Sequence, residues 1–150
     1  MADFETAKAA IRAYIEANWD GVSIVWPNAG FGAEGIEDRP RDGDGNPIAF
    51  IYCEILPTSS RGSGFGSVGK RVKTDAGVVA AHYMAPIGTG DEQAGTAIKA
   101  FGEMLELRSI GAPPAPRMEA AQPGGGGQGD DDGLYFRVSR TVPWSINYAA

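Results

Sequence analysis

Two stretches of this chain repeat apolar residues at three- and four-residue steps, and the segments between them have strand character. Phe4, Ala7, Ile11, Tyr14 and Ile15 form the first stripe, and Ala94, Ala97, Ile98, Phe101, Met104 and Leu105 form the second. Each spacing gathers its apolar side chains on one side of a helix, so each helix has a face that must be buried. Two such faces around a set of strands require a common sheet. The expected fold is a single α+β domain over residues 1–150, with a mixed or mostly antiparallel sheet of four to six strands and two helices packed on one face.

The local signals give boundaries. Asp3 is placed to cap the first helix and Asp20-Gly21 to stop it, while Thr89 or Asp91 caps the second, which ends by Gly111. Val22 to Trp26 alternates and is closed by Pro27, a short strand in which Trp26 reads first as a core wall, with a partner-facing anchor as the alternative. Ile48 to Leu56 is apolar without clean alternation, as expected of a central strand buried on both faces. Val68–Lys73 and Val78–Ala85 read as a hairpin around Thr74-Asp75-Ala76-Gly77. A short strand follows at Arg117–Ala121, and a long last strand runs from Leu134 to Tyr148 with a bend at Pro143. The Gly-rich segments 58–69 and 123–133 read as flexible loops, the second having no apolar side chain to bury between Pro123 and Gly133.

Composition removes several classes of function. Cys53 is the only cysteine, which excludes an intramolecular disulfide and a thiolate zinc site. The acidic opening Met1-Ala2-Asp3-Phe4-Glu5 does not read as a signal peptide, so cytosolic synthesis is expected. A formal net charge of -6 argues against a surface that grips phosphate backbones, although an acidic lining lets DNA pass without sticking.

No motif completes a catalytic or cofactor signature. Gly64, Gly69 and Lys70 match the spacing of a phosphate-binding loop, but Arg71 stands where a magnesium-binding Ser or Thr is needed. Asp42-Gly43-Asp44-Gly45-Asn46 starts like a calcium loop and then fails, with Pro47 in place of the turning glycine. His82 is the only histidine; Ser63 lies outside a nucleophile elbow, and a hydrolase needs a pocket that holds His82 beside a serine and a carboxylate. No cofactor or metal is expected.

The order of elements carries a resemblance. A helix ending at Trp19, the run Val22 to Asn28 with Trp26-Pro27-Asn28, a strand ending Ile55-Leu56-Pro57, a Gly/Ser-rich loop, a hairpin, then Pro86-Ile87-Gly88-Thr89-Gly90-Asp91 and another helix resemble the tail terminator proteins of long-tailed bacteriophages, relatives of minor tail protein U. The resemblance covers most of residues 3 to 108. It implies a structural virion protein, made in the bacterial host cytoplasm, that acts without catalysis as a hexameric ring at the tail-neck junction. Its implied partners are other copies of the chain, the tail tube protein and a neck or head-completion protein, with genome DNA passing through unbound. Another head-tail joining protein or a tube subunit is the alternative, and a small hydrolase or nucleotide-binding enzyme is a more distant one.

No residue is transferred from that family. Loop chemistry instead suggests a partner interface: a basic set with Arg61, Phe65, Lys70 and Arg71, and a second set with Gly125, Asp130, Asp131 and Asp132. Contact between unlike loops of neighbouring molecules would be favourable and salt-sensitive.

Overall fold

The computed structural model describes residues 3–27, 40–62, 71–88, 92–128 and 135–149. Helix α1 (Phe4–Asn18) opens at Asp3, whose extended backbone lets its carboxylate accept the Thr6 amide at 3.0 Å. That bond satisfies an otherwise unpaired first-turn donor and sets a negative charge at the positive end of the helix. Strands β1 (Ile24–Val25), β2 (Phe50–Gly62) and β3 (Val72–Pro86) follow, then α2 (Glu92–Leu105), β4 (Arg117–Met118), β5 (Gln122–Gln128) and β6 (Tyr135–Ala149). The capping positions Thr89 and Asp91 lie outside the described residues.

All six strands join one mixed sheet in the order β1-β2-β3-β6-β4, with β5 also paired to β6. Only β1 on β2 is parallel; the other pairings are antiparallel. Because successive strand side chains alternate in direction, Ile51, Cys53 and Ile55 share a face with Val79, Ala81 and Tyr83 and with Val142, Trp144 and Ile146. Onto that face pack Ala7, Ile11 and Ile15 of α1 and Ala94, Ile98, Phe101 and Leu105 of α2. Trp26 belongs to the same core. The chain is thus a single α+β domain with both helices on one side, as the two stripes require.

Direct contacts tie the helices together. The Trp19 ring meets Phe101 edge-on at 5.3 Å, and the Tyr14 hydroxyl donates to the Met104 carbonyl at 3.3 Å while accepting from Arg108 at 2.7 Å. On the opposite face, Phe50, Met84 and Tyr135 form a small second cluster. Burial of β2 on both faces therefore holds only at its start; Tyr52 and Glu54 are half-buried and Leu56 is exposed.

Three expectations about loops need correction. Thr74-Asp75-Ala76-Gly77 is not a turn but the interior of β3, paired residue by residue to both β2 and β6. Gly77 is there for close approach: a Cβ at this position would meet the Leu56 carbonyl oxygen and lie 2.6 Å from the Trp144 ring. Asp75, which reads as a turn former, is buried and accepts from the hydroxyls of Ser60 at 2.6 Å and Tyr148 at 3.0 Å.

The first Gly-rich segment begins as strand, since β2 continues through Thr58 to Gly62. The second likewise begins as β5, whose pairing to β6 uses backbone groups and needs no apolar side chain. Glycine helps here too, because a Cβ on Gly124 would sit 2.7 Å from the Ser139 Cβ. Residues 63–69 and 129–133 lie outside the described residues.

Two substitutions test this packing. Replacing the fully buried Phe101 by Ala should cost about 3 to 5 kcal/mol in urea unfolding, through lost burial and a residual cavity; wild-type stability would mean that the α2 stripe faces solvent. Gly77→Ala should lose about 1 to 3 kcal/mol through overpacking. A neutral result there would restore the turn reading.

Candidate functional site

The face of the sheet that the helices leave uncovered has a polar centre. In the strand register, His82 of β3 stands between Tyr52 of β2 and Ser139 of β6. Its Nδ1 lies 2.6 Å from the Ser139 Oγ, and its Nε2 lies 3.5 Å from Glu54 Oε1, two residues along β2. The Tyr52 ring stacks on the imidazole at 6.3 Å. Arg137, two residues before Ser139, has its Nε buried without a hydrogen-bond partner among the described residues.

Burial pushes the His82 pKa below the ordinary histidine value, and the charge of Arg137 pushes the same way; Glu54 opposes both. The imidazole is therefore neutral at pH 7. On the far side of Ser139 the register of β5 jumps from Pro123↔Arg140 to Gly126↔Val138, so Gly124 and Gly125 together oppose the serine. This bulge presses glycine backbone against Ser139, which is only 8% exposed.

A serine, a histidine and a carboxylate in sequence invite comparison with an acyl-transfer triad. Such a site needs an approachable Oγ, donors for an oxyanion and a cleft for substrate. Here Nδ1 faces the serine and Nε2 the carboxylate, the reverse of the serine-protease order. Neither of the two described clefts touches the relay; one lies beside Ile48 and Ala85, the other beside Arg108 and Arg117. What the arrangement does physically is join three strands by side-chain hydrogen bonds. The sequence offered no signal for Ser139 or Glu54, because their approach to His82 depends on the register of β3 with two strands far from it along the chain.

The second candidate surface is the far end of β2 and β3. A bulge at Thr58, between Pro57 and Ser59, breaks the register and frees the ladder from the missing proline amide. Around and beyond it β2 and β3 form the exposed end of the sheet, here called the arm, with β6 still paired to β3 as far as Val72↔Ala149: Leu56 to Gly62 and Arg71 to Lys73 are all exposed. The Asp75 hydrogen bonds and a Thr74–Asn147 bond of 2.6 Å fasten its root to β6. Among the described residues, β1 pairs with β2 only at Ile51 and Tyr52, so the outer edge of β2 from Cys53 to Gly62 has no strand beside it.

The expected interface residues are divided by this geometry. Arg61 and Arg71 lie on the arm, exposed. Gly125 lies in β5, opposite Ser139, whereas Arg61 is level with Asn147 through Thr74. Eight residues of β6 separate the two levels, about 26 Å at strand rise. Phe65, Lys70, Asp130, Asp131 and Asp132 lie outside the described residues.

No known protein-family model matches this chain, and no curated protein is similar to it. A solved structure of a protein without a descriptive name is similar in fold, with a TM-score of 0.61 and 15% identity over 95% of this chain and 97% of that one. The likeness extends to the whole architecture and is one of fold alone.

The relay makes a signed prediction about pH. Because the folded His82 pKa is depressed, the unfolded chain binds this proton first on acidification, so stability falls as pH drops through the histidine range and levels off below the folded pKa. Melting temperature should decline between about pH 7.5 and about pH 5.5, and His82→Gln should flatten that slope. An imidazole resonance titrating at or above the ordinary histidine value would contradict the assignment.

Proposed function

We propose that this chain is a tail-terminator-like subunit: identical copies close into a ring that caps the head-proximal end of a bacteriophage tail tube and joins it to the neck. The observation that carries the reading is the arm of β2 and β3, whose outer strand edge has no strand beside it among the described residues. A ring needs a heterologous contact, in which one patch of a subunit meets a different patch of the next and the rotation closes. An uncovered edge with free backbone donors and acceptors is a ready surface for such a contact. The element order adds support, since it is the order of the terminator proteins.

Function on this reading is mechanical rather than catalytic. One face of the ring matches the last ring of the tube and the other presents a different surface to the neck, so tube growth stops. The net charge of -6 suits a passage that DNA traverses without specific binding. Six copies are expected from the resemblance.

Electron microscopy of the particle that contains this protein tests the reading directly. The expected image is a closed ring of six copies at the tail-neck junction. A single copy there, or absence from the neck, would overturn it.

A further inference from the structure

The two ends of the sheet have opposite charge. At the arm end, Arg61, Arg71 and Lys73 are exposed; Asp75 there is buried between two hydroxyl donors, and Asp3 at the start of α1 is near enough to Tyr148 for its charge to raise the pKa of that phenol. Among the described residues at the other end, where β2 starts and β3 finishes, Asp20, Asp42, Asp44 and Glu92 are exposed beside Arg41, whose guanidinium donates to the Gly45 carbonyl at 2.9 Å.

Apolar surface is paired in the same way. The acidic end contains an open cleft of about 430 Å³ walled by Val22, Ile48, Ala49, Ala85 and Pro86. Ile48 is 37% exposed at its rim, and Ile87 nearby is 60% exposed. On the arm, Leu56 and Val72 are 40% and 47% exposed among the cations. Seven residues of exposed strand from Leu56 to Gly62 give the arm a reach of about 20 Å.

We propose that the arm of one copy docks against the acidic cleft of the next, with Val72 and Leu56 covering its apolar wall and Arg61 and Lys73 facing Asp44 and Glu92. The occupant is a second copy of this chain because both complementary halves lie on one molecule, at opposite ends of the same strands. Such an arrangement is self-complementary only head to tail. It repels the wrong orientations, since arm against arm and cleft against cleft bring like charges together. The inference rests on the ring reading and names the contact that would close the ring.

Sedimentation of the full chain at about 20 mM and about 500 mM salt, combined with charge reversal, decides the matter. Arg61→Glu with Lys73→Glu makes both ends acidic; Asp44→Lys with Glu92→Lys makes both ends basic. Each variant alone should associate at least about tenfold more weakly than wild type, and an equimolar mixture should recover association, because every arm then meets a cleft of opposite sign. Circular dichroism confirms that both variants fold. Wild type that stays monomeric at both salt concentrations, single variants that associate like wild type, or a mixture that fails to recover would overturn the contact. A six-copy ring seen at the neck alongside unaffected variants would retire this contact and leave the ring reading standing.

Discussion

Every other feature of this protein depends on the double pairing of β3. All fifteen of its residues are paired with β6 on one side, and twelve of them, 73–84, are also paired with β2 on the other. A strand paired along both edges has no freedom to slip, because a one-residue shift would turn its whole apolar set to the opposite face. Ala81, Val79 and Tyr83 would then point away from the helices, and His82 would be driven beneath Phe101 and Ile11. The helix core and the polar relay are consequences of one register.

That register also explains why the two faces differ. The helix face is filled by large apolar side chains, among them Trp144, whose ring occupies the space that Gly77 leaves and stacks on Phe4 at 5.6 Å. The other face has an aromatic cluster only at one end, and farther along it Glu54, His82, Ser139 and Arg137 take over. Buried polar groups of this kind are stabilising when satisfied and costly when not. The strand ends beyond the helices are free to extend, and the chain uses them for an arm whose side chains serve no core. A one-sided sheet with unequal ends is a natural unit for directional assembly.

The helices, the Asp3 cap, the α+β class and the long last strand were legible in the sequence because each is written in local periodicity or local capping chemistry. The Phe101 stripe needs only eleven or so neighbouring residues to be recognised, and the Asp3 cap needs three. The errors were equally local. Asp75 and Gly77 have turn chemistry, yet Tyr148 and Trp144, more than sixty positions away, recruit them into a strand. The glycines of β5 lack the side chains that mark a strand, and pairing to β6 supplies what they lack.

The sequence by itself determined that this chain forms one domain with two helices on a sheet, and that its residues complete no familiar catalytic motif. Hydrophobic periodicity and motif spacing are properties of neighbouring residues, so no folding was needed to see them. Only the tertiary structure decided that Ser139, His82 and Glu54 meet, that β2 and β3 end in an exposed basic edge, and that acidic side chains from three separate segments gather at the opposite end. Those are properties of strand register and of strand direction in space, set by the sum of many weak pairings that no short window of residues contains.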